Sequence, residues 1–175
     1  MPAEAVPHFF GEPGAGTRVD LAGAGHTITL TAEQTGGVLS LDVISMPPKW
    51  AGQPAHVHQC HEETFFVLAG RVAYQLGERR IVGAAGSTLY VPRGVRHAFA
   101  NPYEEPARLL NVFTPAGYEN FYGELAALLT GAYGRPGLPD VQNLFAKYGT
   151  VMRAHLPPDP PARAALPKRR RPAVP

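Results

Sequence analysis

Nine short runs rich in β-branched and aromatic residues recur at turn-bounded intervals over about ninety residues: HTITLT (26–31), VLSLDVISM (38–46), PAHVH (54–58), ETFFVLAG (63–70), RVAYQL (71–76), RRIV (79–82), STLYV (87–91), RHAFA (96–100) and ARLLNVFT (107–114). Runs this short and this numerous read as strands of a sandwich or barrel. The 19 glycines and 19 prolines agree, because before residue 156 they fall singly or in pairs between runs. Gly77-Glu78, between RVAYQL and RRIV, reads as a two-residue hairpin loop with Gly in first position. Helical spacing comes only afterwards. Phe121, Leu125, Leu128 and Leu129 recur at three and four within 118–129, and Val141, Leu144, Phe145 and Tyr148 do so within 140–148. Two amphipathic helices are expected there, the second starting at Pro139 and stopping at Gly149. The expectation is an all-β barrel with C-terminal helices: an arm over 1–24, the barrel over 25–115, helices over 116–150 and a tail over 151–175.

A chain of 175 residues with 45% hydrophobic content is one ordinary domain with a real core. Its formal charge of +2 conceals an asymmetry. Residues 1–150 carry 10 Lys+Arg against 13 Asp+Glu, whereas 151–175 carry six against one. The Pro-rich tail has little to bury and is expected to be disordered, with KRRR as a solvated end rather than a nucleic-acid site. The N-terminus has no basic start and no apolar run of signal length, and no stretch approaches a membrane span. The single cysteine, Cys60, permits no internal disulfide. A cytoplasmic protein without nucleic-acid or membrane partners is expected.

Four of the seven histidines, His56, His58, His61 and His97, lie in or beside two of the strand candidates. His56 and His58 are two apart, so in a strand their imidazoles share a face and can converge on one ion. Glu63 follows His58 by five residues, an odd step that a continuous strand would place on the opposite face. A four-residue hairpin loop, Gln59-Cys60-His61-Glu62, resolves this by making His58 and Glu63 the facing pair that closes it, and His56 then pairs with Phe65. That geometry selects His56, His58 and Glu63 and leaves His61 and Glu62 in the loop. After a turn at Pro92 and Gly94, His97 opens a new strand and supplies a third imidazole. Taken singly, each histidine also suits a satisfied core or surface position; the set points to a metal.

These residues resemble the two motifs of the cupins, a family of small jelly-roll barrels. The first, G(X)5HXH(X)3–4E(X)6G, is met by His56, His58, Glu63 and Gly70, although Gly52 precedes His56 by three residues instead of five. The second, G(X)5PXG(X)2H(X)3N, is met throughout by Gly86, Pro92, Gly94, His97 and Asn101. The resemblance implies a cupin barrel, a double-stranded β-helix, whose metal ligands are His56, His58, Glu63 and His97. The loop histidine His61 and the pair Phe65-Phe66 are similar to the first motif of quercetinase-type flavonol dioxygenases.

Three neutral imidazoles and one carboxylate suit a single divalent transition metal, Fe, Ni, Mn, Co or Zn, with room for an anionic or enolisable small-molecule ligand. Glu63 is either a constant ligand or a catalytic base that takes a proton from the incoming hydroxyl, its pKa raised by apolar surroundings. Phe65 and Phe99 form either the wall of a substrate pocket or barrel core, and His61 either contacts substrate or is solvated. The expected activity is that of a metal-dependent dioxygenase using O2 on a small aromatic or enolic, flavonol- or polyketide-like compound. A non-redox isomerase, decarboxylase or polyketide cyclase is the alternative, and a ligand-binding protein without turnover a third. Thr64, Phe66 and Leu68 make the opposite face of their strand largely apolar, so it needs cover; a homodimer is expected, as in many cupins.

Overall fold

A computed structural model describes residues 8–131 and 136–152. Every one of the nine runs is extended. The strands are β1 (Thr17–Leu21), β2 (Ala24–Leu30), β3 (Ser40–Met46), β4 (Val57–His58), β5 (Glu62–Ala69), β6 (Arg71–Leu76), β7 (Arg79–Ala84), β8 (Thr88–Val91), β9 (His97–Ala100), β10 (Ala107–Thr114) and β11 (Thr150–Val151). The helices are α1 (Ala32–Thr35), α2 (Glu119–Leu129) and α3 (Leu138–Lys147). Leu76 pairs with Arg79, so Gly77-Glu78 is the two-residue loop, with Gly77 at a φ of 55° that suits glycine.

Six strands form one antiparallel sheet in the order β1-β2-β3-β10-β5-β8, and β7-β6-β9 form a second. An isolated bridge between His56 and His97 ties the second sheet to the small β11-β4 pair. Alternate residues of β3, β5 and β10 are buried, the period-2 pattern of strands with one face on a core. Between the sheets, Ile44, Phe65, Val67 and Leu109 meet Val72, Tyr74 and Phe99. The helices cover one end: Tyr118, Phe121 and Tyr122 pack with Leu21, Ile28, Phe113 and Leu144.

Three features depart from the expected layout. β1 begins at Thr17, inside the expected arm, and pairs with β2 along its full length. α1 had no periodic signal; it is held at Ala32 by the buried side chain of Glu119, whose Oε1 accepts the Ala32 N–H at 2.7 Å while Oε2 accepts that of Gly117 at 2.6 Å. The third lies at the junction of helices and tail, where Thr150 and Val151 form a strand against β4 instead of ending the fold. The rest of the tail, including KRRR, lies outside the described residues. No helix among those described is long and apolar enough to cross a membrane.

Candidate metal centre

The inward positions that are apolar through most of the barrel turn polar at the helix-covered end. His26 on β2, Asp42 on β3, Asn111 on β10 and Glu63 on β5 belong to four neighbouring strands, and His56, His58 and His97 come from the other side. His56, His58, Glu63 and His97 are all buried, and one ligand atom from each lies within 4.8 Å of the others.

The sequence joined His56, His58 and Glu63 by a local hairpin and added His97 from a later strand, but the structure assembles them differently. β4 and β5 do not pair. Val57 and His58 pair with Val151 and Thr150, His56 bridges His97 rather than Phe65, and Glu63 pairs with Phe113 and Val91. Residues 59–61 turn a corner from one side of the barrel to the other, so Glu63 meets the histidines across the interior. The odd spacing is accommodated because the two sides face each other, with no requirement for a shared strand face.

Hydrogen bonds fix the chemistry of the imidazoles. His56 Nδ1–H donates to Pro54 O at 2.8 Å, His97 Nδ1–H to Val95 O at 3.0 Å, and His58 Nδ1–H to Thr150 Oγ1 at 2.9 Å. His56 and His58 are thereby held in the tautomer whose Nε2 has a free lone pair, the arrangement that metal-binding histidines use, whereas His97 Nε2 donates to Glu63 Oε2 at 2.6 Å and would have to give up that proton to a metal. His58 Nε2 is buried without a hydrogen-bond partner, a costly state for a polar atom unless something else binds it. Ligand bonds of about 2 Å place the atoms around one ion roughly 3–4 Å apart, so the set fits a single divalent metal after small side-chain adjustments.

Glu63 is tightly held. Its Oε1 accepts Asn111 Nδ2–H at 2.7 Å, its Oε2 lies 2.6 Å from His97 Nε2, and His58 Nε2 is 3.4 Å from the same oxygen. Burial alone would raise its pKa, but His58 and His97, by charge and hydrogen bonding, outweigh burial and hold it well below the usual carboxylate range. This reverses the expectation of a raised carboxyl: apolar surroundings are present, and two imidazoles in contact dominate them. His97 moves the other way, burial lowering it and the hydrogen bond and charge of Glu63, with the hydrogen bond to Val95 O, together raising it more. His56 is lowered to about 3, chiefly by burial and then by His97 and His58.

His61 is not a solvated loop residue. It is 4% exposed, its ring centroid is 4.1 Å from that of His58 and 4.3 Å from that of Tyr118, and its Nε2 has no partner. Burial, then the neighbouring His58, lower its pKa to about 3. Glu62 does turn away, into an ion pair with Arg93 at 2.7 Å. Phe65 and Phe99 lie in the core with ring centroids 5.4 Å apart, and Phe65 reaches within 6.4 Å of the His97 ring. A cavity of about 120 Å3 adjoins the cluster through His56, and its wall is made instead by Leu21, Trp50, Phe121, Tyr122, Leu125 and Phe145. Trp50 is fixed there by donating from Nε1 to Ala22 O at 2.8 Å. Gly52, also on this wall, has a φ of 88° and no room for a side chain, since a Cβ would meet Phe99 O. Asn101 is structural: buried, it donates to Pro47 O and Glu105 O and accepts from Tyr103 N–H.

Asn111, Thr150 and Tyr118 were not singled out by sequence. Thr150 Oγ1, which receives the His58 proton, donates in turn to Tyr118 Oη at 3.2 Å. Nothing local marks Thr150, because it is 92 residues from His58.

The model of the cupin domain matches residues 42–113, the segment that contains all four clustered residues. Residues 42–113 are therefore a cupin domain. Over 54 residues this cupin is 43% identical to an uncharacterized protein of Streptomyces coelicolor, covering 31% of this chain and 50% of the relative. Over 125 residues it is 28% identical to quercetin 2,3-dioxygenase of Bacillus subtilis, covering 71% of this chain and 36% of the relative. It therefore spans only half of the first curated relative's length and about a third of the second's. The crystal structure of an RmlC-like cupin from Shewanella frigidimarina superposes with a TM-score of 0.53 at 22% identity, covering 66% of this chain and 96% of that one. That likeness bears on the fold alone. The buried His3Glu cluster is consistent with the single metal site of cupins.

Proposed function

We propose that this cupin is a metal-dependent dioxygenase acting on a small aromatic or enolic oxygen compound. The observation that carries the reading is the set of three imidazoles with Nε2 turned inward around Glu63, opening through His56 onto a cavity walled by aromatic and aliphatic side chains. The similarity to quercetin 2,3-dioxygenase supports it. A divalent ion on His56, His58, His97 and Glu63 supplies Lewis acidity and, if redox-active, allows an electron-rich substrate to react with O2. The protein's own contribution is to bury four ligands, fix the imidazole rings through their Nδ1–H groups and orient a flat ligand against Trp50 and Tyr122. Glu63 Oε1, tied to Asn111, anchors the carboxylate; Oε2 is the oxygen free to exchange a proton with an incoming hydroxyl once His97 is otherwise engaged.

The outer face of β5 and β8 exposes Phe66 and Leu68, each 39%, and Tyr90, 57%. A contiguous apolar face of this kind suits the expected homodimer. The free, exposed thiol of Cys60 suits a reducing cytoplasm. The function is tested by elemental analysis of untagged protein joined to an oxygen-electrode assay with phenolic and flavonol substrates after loading with Fe, Ni, Mn or Co. Substrate-dependent O2 uptake with at least one metal is expected. Bound Zn with no O2 uptake under any loading would overturn the dioxygenase reading in favour of non-redox chemistry.

A further inference from the structure

The polar stripe across the large sheet does not stop at Glu63. Asn111, which holds Glu63, is the cross-strand partner of Asp42, and Asp42 Oδ2 accepts His26 Nδ1–H at 2.6 Å while its Oδ1 accepts Thr27 N–H at 3.1 Å. Both side chains are buried, His26 at 2% and Asp42 at 0%. The His26 ring lies against Tyr122, centroids 4.3 Å apart, and forms part of the same cavity wall as His56. With Nδ1 committed to Asp42, Nε2 is left as a lone-pair acceptor, and no protein hydrogen bond to it occurs among the described residues. A mostly apolar cavity, whose wall also carries Gln53, Tyr118 and Tyr122, thus has a fixed hydrogen-bond acceptor as well as the histidine that leads to the ligand cluster.

Resting on the reading of this cavity as the substrate pocket, we propose that His26, oriented by Asp42, is a substrate-contacting residue that accepts a hydrogen bond from a hydroxyl of the ligand. The substrate class this selects is a single-ring phenol or enol. The cavity, about 120 Å3, is close in size to apolar cavities of roughly 150 Å3 that take up benzene, so it encloses one ring. A ligand without a hydroxyl would cover Nε2 and leave it unsatisfied, and would be discriminated against for that reason.

Phenol and toluene, nearly equal in size, are the probes. Their affinities for the full chain are measured calorimetrically, in the zinc-loaded and the chelator-treated protein, for the wild type and for His26→Phe, which keeps an aromatic ring against Tyr122. The wild type should prefer phenol roughly three- to tenfold in both metal states, and the variant should lose that preference. Quercetin should not displace phenol. Equal binding of the two probes by the wild type, no binding of either, a phenol preference that survives in His26→Phe, or displacement by quercetin would each overturn the proposal. Should the variant not fold, the His26 Nε2 resonance of 15N-labelled wild type decides: it should shift upfield with phenol and not with toluene, and the same response to both contradicts the role. None of these readouts requires turnover, so protein that consumes no O2 yet shows the His26-dependent preference would sink the dioxygenase reading and leave this assignment standing.

Discussion

With their Nδ1–H groups tied to Pro54 O, Thr150 Oγ1 and Val95 O, three imidazoles turn Nε2 toward the space between them, where that of His97 meets Glu63. Thr150→Val removes the acceptor that fixes the His58 ring while keeping the shape of the side chain. Metal affinity, read by competition with a chelator, should fall roughly 10–100-fold with the fold intact; an unchanged affinity would show that the ring needs no such anchor. The acid side of stability belongs to the same residues. His56 and His61, held to about 3 and therefore neutral in the folded chain, take up protons on unfolding at any pH between about 6.5 and 3. Their burial is harmless above pH 6.5 and becomes increasingly destabilising as pH falls through that window. Glu63, lowered, acts in the same direction below 4.5, whereas raised His97 adds stability below 6.5 that is lost as pH rises through its folded value. Urea denaturation of the chelator-treated protein should therefore show a steep loss between pH 6.5 and 4, made shallower by His61→Phe. An equally steep loss in that variant would remove His61 from the account.

Strand elements were legible because their side chains repeat every second residue, and His56 and His58 share a face for that reason. Glu63 was selected by an argument the structure does not use: a hairpin was inferred where residues 59–61 instead cross between sides of the barrel. Local spacing tells which residues are near in sequence and cannot tell which sheet edge a two-residue strand such as β4 will join. Thr150 illustrates the cost, since β11 looked like the start of a tail and turned out to close the site. The burial of His61 was equally invisible, because Tyr118, 57 positions further on, covers it. At this scale Glu119 links α2 to the barrel by accepting the N–H groups of Ala32 and Gly117. Burial raises and these hydrogen bonds, that of Ala32 foremost, lower its pKa, the net direction being down. Glu119→Ala leaves two donors without their acceptor and should cost about 1–3 kcal/mol in chemical denaturation. A change within experimental error would mean that the helices dock without this clamp.

The whole molecule is two facing sheets with an apolar core at one end and a polar, ligand-forming end capped by helices. The outer face of β5 and β8 gathers three of its exposed large hydrophobic residues, Phe66, Leu68 and Tyr90. If two copies meet there, Phe66→Glu combined with Tyr90→Lys should convert a dimer to monomers in sedimentation velocity without loss of the metal site; a dimer that persists places the contact elsewhere. Fold and metal cluster are thus separable from assembly, and both stand on whether four buried groups from opposite sides of the barrel hold one ion. Untagged protein loaded with a divalent transition metal and desalted should retain one ion per chain by mass spectrometry, with a nitrogen-and-oxygen ligand set by X-ray absorption, and His58→Ala and His97→Ala should each retain markedly less. Wild-type protein that retains no metal, or variants that retain as much as the wild type, would contradict the account.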